Sequence, residues 1–485
     1  MVNILKSLLL IITLGTLFIS CDSDNSCDNV CPTGTLQLLN CACAEDANNI
    51  VPHPCPDLTC PSGQAVAVMG GSCACVEIAM DVCDGKTCNA GEVLDASTCE
   101  CVRAGGITET ISAGTYTEDI TMTSGNTYIL NGRVIIAAGA TLTIEPGVVV
   151  KGSEGQEANA SALLIARGAT IMAMGTEEAP IIMTSIADNI QPGDINSPNL
   201  TVDDNGLWGG LIVLGNAPVS TNAGDEGRIE GIPADIPEGL YGGNSPMDNS
   251  GVIRYVSVRH GGTLIGEGNE INGITFGGVG AGTTVENIEV VANVDDGIEF
   301  FGGTVNVKNA IVWAQGDDAF DIDQSYSGTV DNYVTVASEG SDHSFEIDGP
   351  ESDANPDGRF TMINGTAIGS LDAAKGEIQD WRSNAQGTVM NTYFYNFKSS
   401  ADIELDNDEV SANFGANKIV ITGCEFTLAE GTTLADVAAD KADNPQGDFD
   451  TYLTENNSVV AAGAASVGAD LSAFNWTFTK ANNGI

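Results

Sequence analysis

From residue 284 onward, apolar and polar positions alternate in short runs, and the runs return at a fixed interval. Three variants of one phrase carry the pattern: Asn293-Val-Asp-Asp-Gly-Ile-Glu-Phe300, Gly316-Asp-Asp-Ala-Phe-Asp-Ile322 and Gly340-Ser-Asp-His-Ser-Phe-Glu-Ile347. Asp296 and Asp318 are 22 residues apart, and Asp318 and His343 are 25 apart. A recurrence of this size marks a repeat architecture with one supersecondary unit per repeat. Inside each phrase an acidic residue sits between two apolar ones, as in Ile298-Glu299-Phe300 and Phe320-Asp321-Ile322. That is the period of a strand with one buried and one wet face. A second series lies between the phrases: Val285-Glu-Asn287, Val307-Lys-Asn309, Val330-Asp-Asn332, Met362-Ile-Asn364 and Val389-Met-Asn391. Asn accepts the left-handed conformation of a sharp bend, and its amide can bond the Asn of the next coil. Asn287, Asn309, Asn332, Asn364 and Asn391 are therefore expected to form a ladder. One coil reads strand, turn, strand, Asn bend, strand, Gly/Asp turn. Antiparallel hairpins of a sandwich would not hold a ~22-residue register of identical turns.

With these phrases and the Asn series, the chain resembles right-handed parallel β-helix proteins of the pectin-lyase-like fold. The resemblance implies an all-β solenoid. Residues 140–152 and 161–173 echo each other in the same register, so the solenoid is expected over residues 104–428. Residues 217–250 hold four Pro (Pro218, Pro233, Pro237, Pro246) and read as a long loop of the functional or mobile kind. Trp313 and Cys424 sit on apolar runs and are assigned to the core. Residues 429–485 lose the period. A short helix near residues 433–442 and a closing segment at 473–478 are expected to cap the open end, because a last coil otherwise exposes core and strand edges.

Charge narrows the function. The 485 residues carry 66 Asp+Glu against 17 Lys+Arg, a formal net charge of -49. Such a surface repels nucleic acid, and it disfavours polyanions unless a cation bridges.

The N-terminus adds a compartment. Residues 1–20 have Lys6, an apolar run from Leu8 to Ile19 and a small residue, the layout of a secretory signal. Leu17-Phe-Ile-Ser-Cys21 resembles a bacterial lipobox, with Phe18 where Leu is usual. The resemblance implies lipidation of Cys21 and a tether over residues 21–26; the other reading is ordinary cleavage with Cys21 as a disulfide partner. The acidic stretch Asp22-Ser-Asp-Asn25, together with the β-helix phrases, resembles surface lipoproteins of the Bacteroidetes group. Residues 27–103 hold three four-cysteine units: Cys27, Cys31, Cys41 and Cys43; Cys55, Cys60, Cys73 and Cys75; Cys83, Cys88, Cys99 and Cys101. An even count in an exported segment points to two disulfides per unit in a stalk too small for its own core. Zinc is the competing reading, with His53 the lone His nearby.

Candidate chemistry sits on the acidic phrases. Aligned coils give an outward column Glu299, Asp321, Glu346, Gln379, Glu404 and a neighbouring column Phe301, Asp323, Asp348, Trp381, Asp406. Asp296, Asp318 and His343 form the column just before the strand. Equivalent residues on stacked strands lie ~4.8 Å apart, so these carboxylates must be compensated. Calcium, an oxygen-seeking cation, fits Asp318, Asp321, Asp323, Glu346 and Asp348. Phe301 and Trp381 are candidate sugar-stacking residues. The competing reading is a solvated face of turn-forming Asp, Asn and Gly. No organic cofactor is expected.

The order Asn293…Asp295-Asp296, Asp317-Asp318, His343, Arg382 also resembles inverting glycosidases of the polygalacturonase type. That resemblance implies Asp317 or Asp318 as general acid, Asp296 activating water, and His343 and Arg382 binding substrate, with two carboxyls ~6.5–9.5 Å apart. His343 lacks the flanking glycines and Arg382 the following Lys of that family. No Lys or Arg stands clearly as a lyase base. The leading expectation is a non-catalytic, surface-exposed outer-membrane lipoprotein that binds glycan, a partner protein or calcium. The alternative is a glycoside hydrolase.

Overall fold

The computed structural model describes residues 106–485, apart from 157–158, 230–231, 233–235 and 267–268, and the backbone of four short strands before them. The signal at 1–20, Cys21, the tether and the pairing of the twelve stalk cysteines lie outside the described residues. Gln64–Met69 and Ser72–Glu77 form an antiparallel hairpin.

The main unit coils through three parallel sheets. The acidic phrases build the first sheet, in which Leu163–Ile165, Leu211–Leu214, Ile274–Gly277, Ile298–Phe301, Phe320–Asp323, His343–Ile347, Glu377–Trp381, Ile403–Leu405 and Ala438–Asp440 stack in order. Longer strands such as Thr284–Val291, Asn306–Trp313 and Thr329–Val336 turn a corner at their Asn and so serve the other two sheets. Inward positions are apolar because they have nowhere wet to point: Ile298, Phe300, Phe320, Ile322, Phe345 and Ile347 are all buried. Phe276, Phe300 and Tyr326 stack through the core at 5.5 and 4.2 Å between ring centroids. Each such ring contributes about 1.5–3 kcal/mol by leaving water.

The Asn bends behave as expected, with one break. Asn287, Asn309, Asn332, Asn364 and Asn391 all have φ between +52° and +61°. Asn309 Nδ2 donates to Asn287 Oδ1 at 2.8 Å, Asn332 to Asn309 at 2.7 Å and Asn391 to Asn364 at 3.5 Å. Asn364 instead donates to Asp331 Oδ1 at 2.8 Å. The Oδ1 of Asn332 is taken by the amide of Asp470 at 2.6 Å.

That bond reveals the C-terminal segment, which does not sit where the sequence puts it. The coil stack runs past residue 428, through Ala438–Asp440 to Ser458–Val459. The short helix is Leu434–Val437. The last residues lie along the flank rather than over the open end. Phe474 packs on Ile311, Val334 and Val336, and Phe478 on Val291, Ala292 and Trp313. Trp313 therefore faces outward under this strap, whereas Cys424 is buried and unpaired as expected. The buried Glu289 accepts from the amides of Phe478 at 3.1 Å and Thr479 at 2.8 Å, and Arg259 faces it at 3.6 Å. Among the described residues no helix is long and apolar enough to cross a membrane.

Candidate functional site: an acidic cleft on the first sheet

The outward column of the first sheet changes character along its length. Ile135, Leu164 and Ile212 come first, then Thr275, then Glu299, Asp321, Glu346, Asp380 and Glu404. The loop after residue 217 folds down on the apolar half: Val219, Ile229, Ile232 and Tyr241 cover Ile135, Leu164 and Ile212. It is a pinned roof. Arg167 holds Glu226 at 2.5 Å and the carbonyl of Gly242 at 2.7 Å, and the Tyr241 hydroxyl donates to Gln324 Oε1 at 2.9 Å. Where the roof ends, the acidic half opens as a cleft of about 270 Å³.

Most of its lining comes from the repeats. Asp296, Glu299 and Asp321 bring carboxylate oxygens within 4.8 Å of one another, and so do Asp321, Glu346 and Asp348. Arg382 is the cleft's guanidinium, donating to Glu346 and, at 2.7 Å, to Asp348. Phe301 lines the wall against Tyr241, with 5.8 Å between ring centroids. Asp321 Oδ1 and Asp348 Oδ1 are buried with no hydrogen-bond partner among the described residues.

Such crowding favours protons. Burial first, then neighbouring carboxylates, pushes Asp296, Glu299, Asp321 and Asp323 well above the ordinary carboxylate range. Burial and Asp318 push Glu346 up to about 8 against the pull of Arg382. Burial alone would lower Arg382, but Asp348 and Glu346 reverse this and raise it.

The column before the strand has a structural task. Asn272 Oδ1 accepts from the Asp296 amide at 3.3 Å, Asp296 Oδ1 from the Asp318 amide at 3.0 Å, and Asp318 Oδ1 from the His343 amide at 2.7 Å. Each side chain satisfies the turn of the next coil. Gly297 is required in this turn, since a Cβ there would stand 2.7 Å from the carbonyl of Ala319 and 2.3 Å from Val312. His343 Nδ1 also meets Asp318 Oδ1 at 2.8 Å. Burial would lower this His; the bond to Asp318 and the surrounding acids raise it to about 9.

The expected residues thus divide. Asp321, Glu346 and Asp348 converge as a metal-type set, and Asp323 lines the same cleft while its Oδ1 accepts from the Gln324 amide at 2.5 Å. Asp318 belongs to a different group, with Asp342 and His343. Of the glycosidase set, Asp296 and Arg382 line the cleft; Asp317, Asp318 and His343 do not. Asp317 lies 3.9 Å from Lys375.

Trp381 is a correction: it points into the core, fully buried, stacked on Phe360 at 5.6 Å. Glu346 pairs with Asp380, not with Gln379, which is also buried. A one-residue slip in register turns every side chain to the other face. Asp380 is the outward residue, held by burial at about 6 although His343 and Arg382 pull it down. Asn272, Lys375 and Asp380 carry no mark in the sequence pattern, because the coils around them hold long inserts that break the period.

The donor set is all oxygen and suits a hard cation such as calcium. A parallel β-helix with an acidic cleft on one sheet is the class of protein that fold and site define. The chain belongs to the pectate-lyase-like β-helix domain family, whose model matches residues 114–479. No curated protein and no solved structure matches it.

Proposed function

We propose that the chain is a glycan-binding surface lipoprotein of the Bacteroidetes kind, anchored in the outer membrane through Cys21, whose acidic cleft works with a bound calcium ion. The observation that carries the reading is the pair of carboxylate triads sharing Asp321, each within 4.8 Å, in a cleft of about 270 Å³. Bare, these groups are held partly protonated by burial and mutual repulsion. A divalent cation would replace the protons and present open coordination positions to sugar hydroxyls or carboxylates. Arg382 lines the same cleft, whereas Phe301 is largely buried against Tyr241 and offers sugar little of its face. The test is a glycan screen with and without calcium, with product analysis. Calcium-dependent retention of intact glycan supports the reading; calcium-independent retention removes the cation from it. Anchoring is tested separately: Cys21→Ala should leave the outer-membrane fraction, and unchanged attachment would remove the lipid anchor.

One observation favours a second reading, glycoside hydrolysis. Glu346, pushed up to about 8, keeps its proton at neutral pH as a general acid must. The acid would then be Glu346 rather than Asp317 or Asp318. Product release by wild type that disappears in Glu346→Gln would move this reading to first place.

A further inference from the structure

A second cleft, of about 590 Å³, lies on the same sheet at its N-terminal end. Its notable member is Arg133, which is only 8% exposed and whose Nε and Nη2 have no hydrogen-bond partner among the described residues. Arg167, Arg254, Arg259 and Arg382 each stand against a carboxylate. In so acidic a chain, a buried guanidinium with no carboxylate against it among the described residues is unusual. Burial lowers its pKa, yet an arginine does not shed its proton in a protein. An uncompensated buried charge is costly, so the position calls for an acceptor.

The backbone is shaped to hold Arg133 there. The strand pairing steps from Ser112 opposite Asn131 to Gly114 opposite Val134, so one residue faces the two residues Gly132 and Arg133. This is a β-bulge, a device that re-aims a side chain. Gly132 takes φ +99°, and its amide is fixed by Ser153 Oγ at 3.1 Å. The unpartnered Nε–Nη2 edge, shielded from water, is the edge of a guanidinium that matches a carboxylate with two parallel bonds. Asn131, Asn159 and Ser153 line the same cleft and offer amide and hydroxyl groups. Glu154 and Glu238 line it too, neither bonded to the Nε or Nη2 of Arg133, and they are the internal competitors.

We propose that this cleft is a second binding site, for a hydroxylated carboxylate: its carboxylate side-on against Arg133, its hydroxyls on Asn131, Asn159 and Ser153. The ligand is a free hydroxy acid or the acidic sugar at the end of a chain. Titration of the full chain in EDTA, which silences any calcium bridge in the acidic cleft, tests it with D-gluconate, D-glucuronate and neutral D-glucose. Either acid should bind, and glucose should bind at least about tenfold more weakly. Preference for gluconate points to a free acid, and preference for glucuronate to a sugar residue. Arg133→Gln should lose about tenfold or more, Arg133→Lys should recover part, and Glu299→Gln in the other cleft should change nothing. Asn159 is exposed, so Asn159→Ala should fold and bind a few-fold more weakly, which keeps the test open if Arg133→Gln does not fold. Equal binding of glucose, no binding of either acid, or undiminished binding by a folded Arg133→Gln overturns the proposal.

Discussion

At the scale of single residues, the acidic cleft is a conflict between carboxylates and their surroundings. Asp321 lies opposite Glu299 on one side and Glu346 on the other. At the ~4.8 Å spacing of stacked strands, two bare carboxylates repel by roughly 0.9–3.5 kcal/mol for effective dielectrics from 80 down to 20. One net hydrogen bond returns only about 1 kcal/mol. Protons or a cation must close the difference, and the unpartnered Oδ1 atoms of Asp321 and Asp348 are where a cation would be felt. Calcium is therefore expected to raise the melting temperature of wild type. At a hundredfold excess over Kd the gain is about 2.7 kcal/mol. Asp321→Asn combined with Glu346→Gln removes both triads' shared geometry and should abolish most of the rise. Without calcium at neutral pH the same double variant should melt close to wild type, since each amide carries the same charge as the protonated carboxyl it replaces. Equal calcium responses in the two proteins would rule the site out.

At the scale of elements, the period of the chain made the coil legible and the inserts hid the rest. Asn287, Asn309 and Asn332 follow one another at nearly constant spacing, and their ladder forms as the pattern predicts. Between Asn332 and Asn364 the coil lengthens, the ladder switches to Asp331, and further on the strand register predicted for Trp381 slips by one. Aligning by spacing fails there because an insert carries no signal of where the strand resumes. Apolar alternation did carry such a signal. Ile378, Gln379 and Trp381 are buried, and only Asp380 between them reaches outward, but a Gln in the core is not an expected inward residue. The strap was illegible for another reason. Glu289 looks like one more outward acid, yet it is fully buried and bonded 190 residues away to Thr479. Removing it strands Arg259 and two amides, a loss of about 3–5 kcal/mol. Glu289→Ala is expected to destabilise by that amount and to open the C-terminal segment to protease before the coils unfold. Simultaneous loss of both in hydrogen exchange would show that the strap is not a separate unit.

At the scale of the whole molecule, charge and acid chemistry act in one direction. The net charge of -49 grows with pH and opposes compactness. Glu346 at about 8, Asp380 at about 6 and His343 at about 9 are all raised from ordinary values of 4.5, 3.8 and 6.5. A group raised in the native state binds its proton there while the unfolded chain has already lost it. Between the two values the native state holds more protons, so stability falls as pH rises, by about 1.4 kcal/mol per pH unit for each such proton. The surface carboxylates Asp408, Glu425, Asp436, Asp448 and Asp470 are lowered instead by the groups they accept from. Their stabilisation is complete above the ordinary carboxylate range and adds no slope higher up. In EDTA the protein should therefore melt at a higher temperature at pH 5 than at pH 8, a range over which ordinary salt bridges would leave the dependence flat. Calcium should flatten this dependence, because it takes the place of the bound protons, and titration near pH 7 should release protons to the buffer. Calorimetry in two buffers of different ionisation enthalpy reads that release directly. A melting temperature in EDTA that climbs steadily from pH 5 to 8 would show that the cleft carboxyls are not held protonated. Calcium binding with no proton release would place the ion outside the cleft.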